Sequence, residues 1–195
     1  MNVNMFKIVK DLFPICRSIT GPGIQKSLKY IENIIPDFKR LKIKSGTKVF
    51  DWIVPKEWII KDGYILDIKN KRKYAEFKKL NLHVVNFSTP INKIINKKEL
   101  FKNLYTLPNQ PRLVPYVTSY YKKNWGFCVA ENFKKKIKDK KYKVLIDSSH
   151  TNGSLKIGES YIKGRSKKEI FFSTYFCHPS MANDNLSGVV VQSAL

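Results

Sequence analysis

The sequence predicts a mixed α/β protein. Two N-terminal segments repeat apolar residues at helical spacing, residues 38–90 read as extended, and Ile170–Phe176 is an almost uninterrupted apolar run, IFFSTYF. Such a run suits a central strand covered on both faces better than an amphipathic edge. At 195 residues, and with domains averaging about 150, the chain has room for one large domain or a domain carrying an insert. Its 43% apolar and 13% aromatic residues supply enough core to exclude disorder over most of its length.

In chain order, Phe6, Val9, Leu12 and Phe13 give a short helix that Pro14 kinks or stops. Gly21, Pro22 and Gly23 break the chain, and Leu28, Ile31, Ile34 and Ile35 mark a second helix ending near Pro36. Phe38, Leu41 and Ile43 open the extended region, which continues through Val49, Trp52, Val54 and Trp58 to Ile60. Asp62-Gly63, set between two apolar runs, predicts a hairpin turn that leads into a strand at Tyr64–Ile68. Residues 96–105 read as a short helix, and Pro108, Pro111 and Pro115 stiffen the loop after it. A strand at Phe127–Val129 and a short helix over 131–138 follow. Tyr142–Asp147 is a strand, Asn152-Gly153 a turn, and Leu155, Ile157, Tyr161 and Ile162 a strand returning along it. DNLSGVVVQSAL (184–195) opens a helix that carries no stop signal, as if cut within its first turns. The expectation is therefore an N-terminal piece of a longer fold.

The formal charge of +22 comes from 37 Lys and Arg against 15 Asp and Glu. Only five of the basic residues are Arg (Arg17, Arg40, Arg72, Arg112, Arg165), which leaves 37 − 5 = 32 Lys. Arg is the better tool for bidentate phosphate and base contacts, so the balance disfavours a nucleic-acid partner. The run from Lys134 to Lys143 reads as a solvated helix end, and the interleaved aromatics of Tyr120, Tyr121 and Trp125 are accounted for by core packing. No segment approaches the roughly 18 apolar residues of a membrane span. The N-terminus mixes Lys7, Lys10 and Asp11 into its apolar positions and lacks an export signal. Cys16, Cys128 and Cys177, an odd and widely spaced set, read as reduced thiols, and a cytoplasmic location is expected.

The chemistry-bearing segment is FCHPSMANDNLSG, residues 176–188. A strand runs into His178, and six residues later Asp184 stands at a helix start. Ligands of open α/β sheets collect beyond the carboxyl ends of the strands. A neutral imidazole there suits zinc, a carboxylate can bridge two metal ions, and such a pair can activate water for peptide or amide hydrolysis. The plainer reading of the same residues is an N-cap Asp and a hydrogen-bonded loop His. A Cys177–His178 nucleophile pair is poorer, because neighbours on a strand project to opposite faces.

CHPSMANDNLSG resembles the first metal-ligand segment of zinc exopeptidases related to aminopeptidases. The closer resemblance is to bacterial polysaccharide-biosynthesis proteins with an aminopeptidase-like domain. It is carried by ICRSITGPG (15–23), SGTKVFDWIVPKEWII (45–60), LHVVNFSTPIN (82–92), PRLVPYVTSYYKKNWGFC (111–128), YKVLIDSS (142–149) and the His178 segment. The resemblance implies a zinc-exopeptidase α/β sandwich, incomplete here, with an inserted small β-rich domain. Residues 1–45 would be its N-terminal helices and first strand, 46–140 the insert, and 141–195 the continuation.

It also implies that His178 is a ligand of one zinc and Asp184 the bridging ligand, with a cis peptide between Asp184 and Asn185. Where relatives often have His-x-Asp, this chain has Ser180, a weaker partner for a ligand His. The paired Glu segment, a later acidic ligand and a last His have no match; His83 reads as a strand residue and His150 as near a turn. The implied activity is zinc-dependent hydrolysis of a peptide or amide bond in a small substrate, with one or two zinc ions in a complete protein and weak binding in this chain. Zinc needs three or four protein ligands, and Glu131, Glu159 and Glu169 lie outside the matching segment, so the chain by itself is expected to be inactive. The alternative is a noncatalytic binding module of a surface-polysaccharide pathway, since a fold does not fix an activity.

Overall fold

The computed structural model describes residues 4–138 and 140–195. They form a mixed α/β structure that divides into two compact units, Met1–Glu57 with Thr151–Leu195, and Trp58–His150.

In the first unit the helix Met5–Leu12 is capped by Asn4, whose side chain accepts the Lys7 amide at 3.0 Å. The helix Pro22–Glu32 begins with Pro22 behind Gly21 at φ 116°. A Cβ on Gly23 would fall 1.8 Å from the Cys16 carbonyl oxygen, so the missing side chain is what lets the 16–17 loop lie against the helix start. Ile8, Leu12 and Ile31 pack with Leu186, Val189 and Val190, the last two from the helix Ser187–Ala194. Strand Lys39–Lys44 pairs antiparallel with Ser154–Glu159, placing Leu41 opposite Ile157.

The second unit is built on a four-stranded sheet in the order Lys73–Tyr74, Glu57–Asp67, Tyr142–Thr151, Ile91–Ile95. Along Tyr142–Thr151 the buried residues alternate, Tyr142, Val144, Ile146 and Ser148, as a strand with one core face requires. The Trp58 indole N–H and the Ser148 hydroxyl both donate to the Ser88 carbonyl, at 2.9 and 2.8 Å. Strands Leu104–Tyr105 and Phe127–Cys128 run parallel beside this core.

The helix expected over 96–105 is confined to Lys97–Lys102, with Leu104–Tyr105 a strand, and Tyr161 and Ile162 lie beyond the strand Ser154–Glu159; other expectations also need correction. Asp62-Gly63 is not a turn but the middle of the strand Glu57–Asp67. Gly63 is there for close approach: its carbonyl accepts Phe77 N–H at 2.8 Å and a Cβ would lie 2.6 Å from Val84 Cγ2. The chain turns just afterwards, where Asp67 Oδ1 accepts the Lys69 and Asn70 amides at 3.0 and 3.4 Å. Ser154–Glu159 does not return along Tyr142–Thr151; the Glu57 carboxylate takes the Ser154 amide and the Lys156 ammonium, and the strand pairs with Lys39–Lys44 instead.

Ile170–Phe176 is not a strand. No described backbone forms a ladder with it, and Ile170, Phe171, Phe172 and Tyr175 are exposed, Phe171 by 88%. His83 lies in the 3-10 turn Asn81–His83 rather than a strand, with Nδ1–H donated to the Cys128 carbonyl at 2.8 Å. His150 is near the end of Tyr142–Thr151, its ring 5.0 Å from that of Phe87.

Candidate functional site

Asp184 sits within a wide turn, Ala182–Leu186, in which it alone departs from helical geometry, at φ −116° and ψ 98°. The peptide between Asp184 and Asn185 is cis, as the resemblance implies. Leu186 is fully buried among Val189, Val190 and the first helix, and the Ser187 hydroxyl donates to the Asn183 carbonyl at 2.6 Å. Apolar burial on one side and a backbone hydrogen bond on the other thus fix the turn that carries the carboxylate.

The plainer role of Asp184, an N-cap, is not the one adopted: the helix Ser187–Ala194 has no side-chain cap. The carboxylate faces the other way. Its Oδ1 accepts the Tyr175 hydroxyl and stands 3.4 Å from His178 Nδ1. The side-chain amide of Asn185 lies 3.2 Å from the same nitrogen, and the Tyr175 ring meets the imidazole edge-on at 5.1 Å. The two residues singled out by the sequence are therefore brought together, along with Tyr175, which was not, and the side chain of Asn185, which was expected only as the partner of Asp184 in the cis peptide.

A further unanticipated contributor is Arg17. Its side chain is fully buried, with Nη1 donating to the Leu12 carbonyl and Cζ 5.4 Å from the Phe176 ring. Burial lowers its pKa to about 10, which still leaves it a cation at neutral pH. The His178 pKa is lowered by burial, opposed by the Asp184 charge and pushed further down by Arg17. The lowered pKa favours the neutral imidazole. Burial also raises the Cys177 pKa, and that of Cys16 to about 12, so both are thiols and not nucleophilic thiolates. Ser180, at φ 45°, donates to the Phe13 carbonyl at 3.2 Å.

Two donors on one tetrahedral zinc, each about 2.0–2.1 Å from the ion, stand about 3.3–3.4 Å apart. The His178–Asp184 separation of 3.4 Å matches that spacing. Among the described residues no third His, Cys, Asp or Glu joins them. His83 and His150 belong to the other compact unit.

A family model described as "Domain of unknown function (DUF4910)" matches residues 6–195. The chain belongs to the DUF4910 family. Over 187 residues this DUF4910 chain is 49% identical to a Clostridium acetobutylicum protein described as "Putative polysaccharide biosynthesis protein with aminopeptidase-like domain". That match takes in 96% of this chain and 43% of the relative. The fold superposes on a crystal structure described as a "putative peptidase" from the same organism with a TM-score of 0.92 and 48% identity, covering 97% of this chain and 44% of that one. The DUF4910 chain thus spans less than half the length of the relatives it matches. Among the described residues no helix is long and apolar enough to cross a membrane.

Proposed function

We propose that this chain carries the first metal-ligand segment of a zinc-dependent, aminopeptidase-like hydrolase that acts on peptide or amide bonds in the cytoplasm. The observation that carries the reading is the pairing of His178 Nδ1 with Asp184 Oδ1 at the spacing of two ligands on one ion. The peptidase and aminopeptidase-like descriptions of the relatives support it. In this reading the fold is the zinc-exopeptidase sandwich, and the complete ligand set and general base include groups from the portion of the relatives that this match does not reach.

His178 and Asp184 would hold the zinc, which when bound polarises a carbonyl and lowers the pKa of water. The remaining contributions belong to the chain's own side chains. Tyr175 donates to Asp184 and fixes the carboxylate's orientation. Burial, opposed by Asp184 and aided by Arg17, holds the His178 pKa below its ordinary value and favours the neutral imidazole. Asn185 presents its amide to His178 Nδ1. With the amide exchanged end for end its buried and unpartnered Oδ1 would accept an Nδ1–H, so Asn185 can satisfy the imidazole when no ion occupies the lone pair.

The test is an assay of aminoacyl-amide hydrolysis by a full-length family member, with and without a chelator. Turnover that is lost both on chelation and on Asp184→Asn supports the hydrolase. Glycan binding that survives Asp184→Asn, without turnover, supports the alternative of a noncatalytic module in polysaccharide biosynthesis.

A further inference from the structure

The second compact unit holds a cavity of about 460 Å³ lined by residues of the 67–72 turn, by Phe133 of the helix Glu131–Lys134 and by residues 136–142 around the undescribed Asp139. Small-molecule sites typically occupy some 300–1,000 Å³. The chemistry of its wall is uneven. Asp67 is completely buried, and its carboxylate is already engaged by the Lys140 ammonium. Burial pushes the Asp67 carboxyl up, but the Lys140 hydrogen bond and the Asn70 and Lys69 amides outweigh it, so it stays ionised. Lys140 is thus neutralised within the wall.

Arg72, Lys136 and Lys138 also line the cavity, and among the described residues none of them has a carboxylate within ion-pair range. Asp139 lies outside the described residues. Three cations without a carboxylate partner among the described residues thus line one hollow, and Arg72 is held 5.4 Å from the Tyr74 ring. Beside them the wall is aromatic: Tyr74 packs on Phe133 at 5.1 Å, and Tyr142 closes the floor with its hydroxyl donated to the Lys138 carbonyl.

We infer that this cavity binds a small phosphate ester carrying a ring, a nucleoside phosphate or a sugar phosphate, with Arg72, Lys136 and Lys138 on the phosphate and the ring against Tyr74 and Phe133. Guanidinium and ammonium donors match a phosphate dianion, and a flat apolar ring face gains from aromatic contact. The site is independent of His178 and Asp184, so its failure leaves the hydrolase reading untouched.

Titration calorimetry of the whole chain with uridine 5′-monophosphate, glucose 1-phosphate, uridine and inorganic phosphate tests the inference and separates the two sources. One of the two esters is expected to bind with a submillimolar Kd, at least tenfold tighter than inorganic phosphate or uridine. Arg72→Gln and, separately, Lys138→Gln should each weaken it by about tenfold while the circular dichroism spectrum is unchanged. Both side chains are exposed, so neither change threatens folding. Absence of binding by both esters at millimolar concentration overturns the proposal, as does inorganic phosphate binding equally well. A uridine decanucleotide that binds far more tightly than the monophosphate, with steep salt dependence, would assign the cations to an extended nucleic-acid surface and also overturn it.

Discussion

Two apolar stretches of this chain met different fates. Tyr142–Ser148 turns alternate residues into a core and has a neighbouring strand on either side. Ile170–Phe176 is the more continuously apolar of the two, yet it has no described ladder partner and exposes most of its large side chains. A run of apolar residues expresses a demand for burial. A strand also needs a second backbone to pair with, and that partner is written elsewhere in the chain. The alternating burial of Tyr142–Ser148 matches a sheet with one buried face, and its strand finds both neighbours in the four-stranded sheet.

The sharpest way to break this contrast is to truncate one side chain in each stretch. Ile146, almost fully buried and opposite Ile91, should cost about 2–5 kcal/mol on Ile146→Ala. Urea unfolding followed by tryptophan fluorescence would read the loss. Ser148→Ala, on the same core face, removes one of two donors to the Ser88 carbonyl while Trp58 keeps the other, and should cost about 1 kcal/mol in the same assay.

A smaller, pH-dependent difference comes from His83. Burial, partly offset by its Cys128 contact and by Glu76, lowers its pKa below 6.5. Between the folded pKa and 6.5 the unfolded chain therefore binds more protons, so stability falls as pH drops through that window and is flat above it. His83→Gln should flatten that slope in urea midpoints taken across the acid range. The smallest effect is expected from Phe171→Ser, within about 0.5 kcal/mol, because the ring is 88% exposed. A loss of several kcal/mol there would show that the stretch is buried in solution and would erase the contrast.

Much of the architecture was legible in sequence. Helical spacing located the helices Met5–Leu12 and Pro22–Glu32, and the strand expected at Tyr142–Asp147 lies within Tyr142–Thr151. Turn chemistry was less dependable. Asp62-Gly63 and Asn152-Gly153 both carry the hairpin dipeptide signal, yet neither joins two paired strands. At Gly63 the missing Cβ serves a close contact with Val84, and at Gly153 it clears the Glu57 side chain. A dipeptide rule cannot distinguish a glycine needed for its dihedral freedom from one needed for its size.

The site was legible in part for a related reason. His178 and Asp184 stand in one short segment and were found together. Tyr175 was hidden inside an apolar run, and Asn185 was marked only for its peptide bond to Asp184, with nothing to indicate its side-chain contact with His178. Arg17 lies far away in sequence, and only the fold brings its buried side chain to the Phe176 ring.

The central claim, that His178 and Asp184 form one cation site, is tested most directly by zinc titration calorimetry of this chain beside Asp184→Asn and His83→Ala. A shared site predicts that Asp184→Asn weakens zinc binding at least about tenfold, a difference of about 1.4 kcal/mol, while His83→Ala leaves it unchanged. Equal zinc affinity in the parent chain and in Asp184→Asn would contradict it.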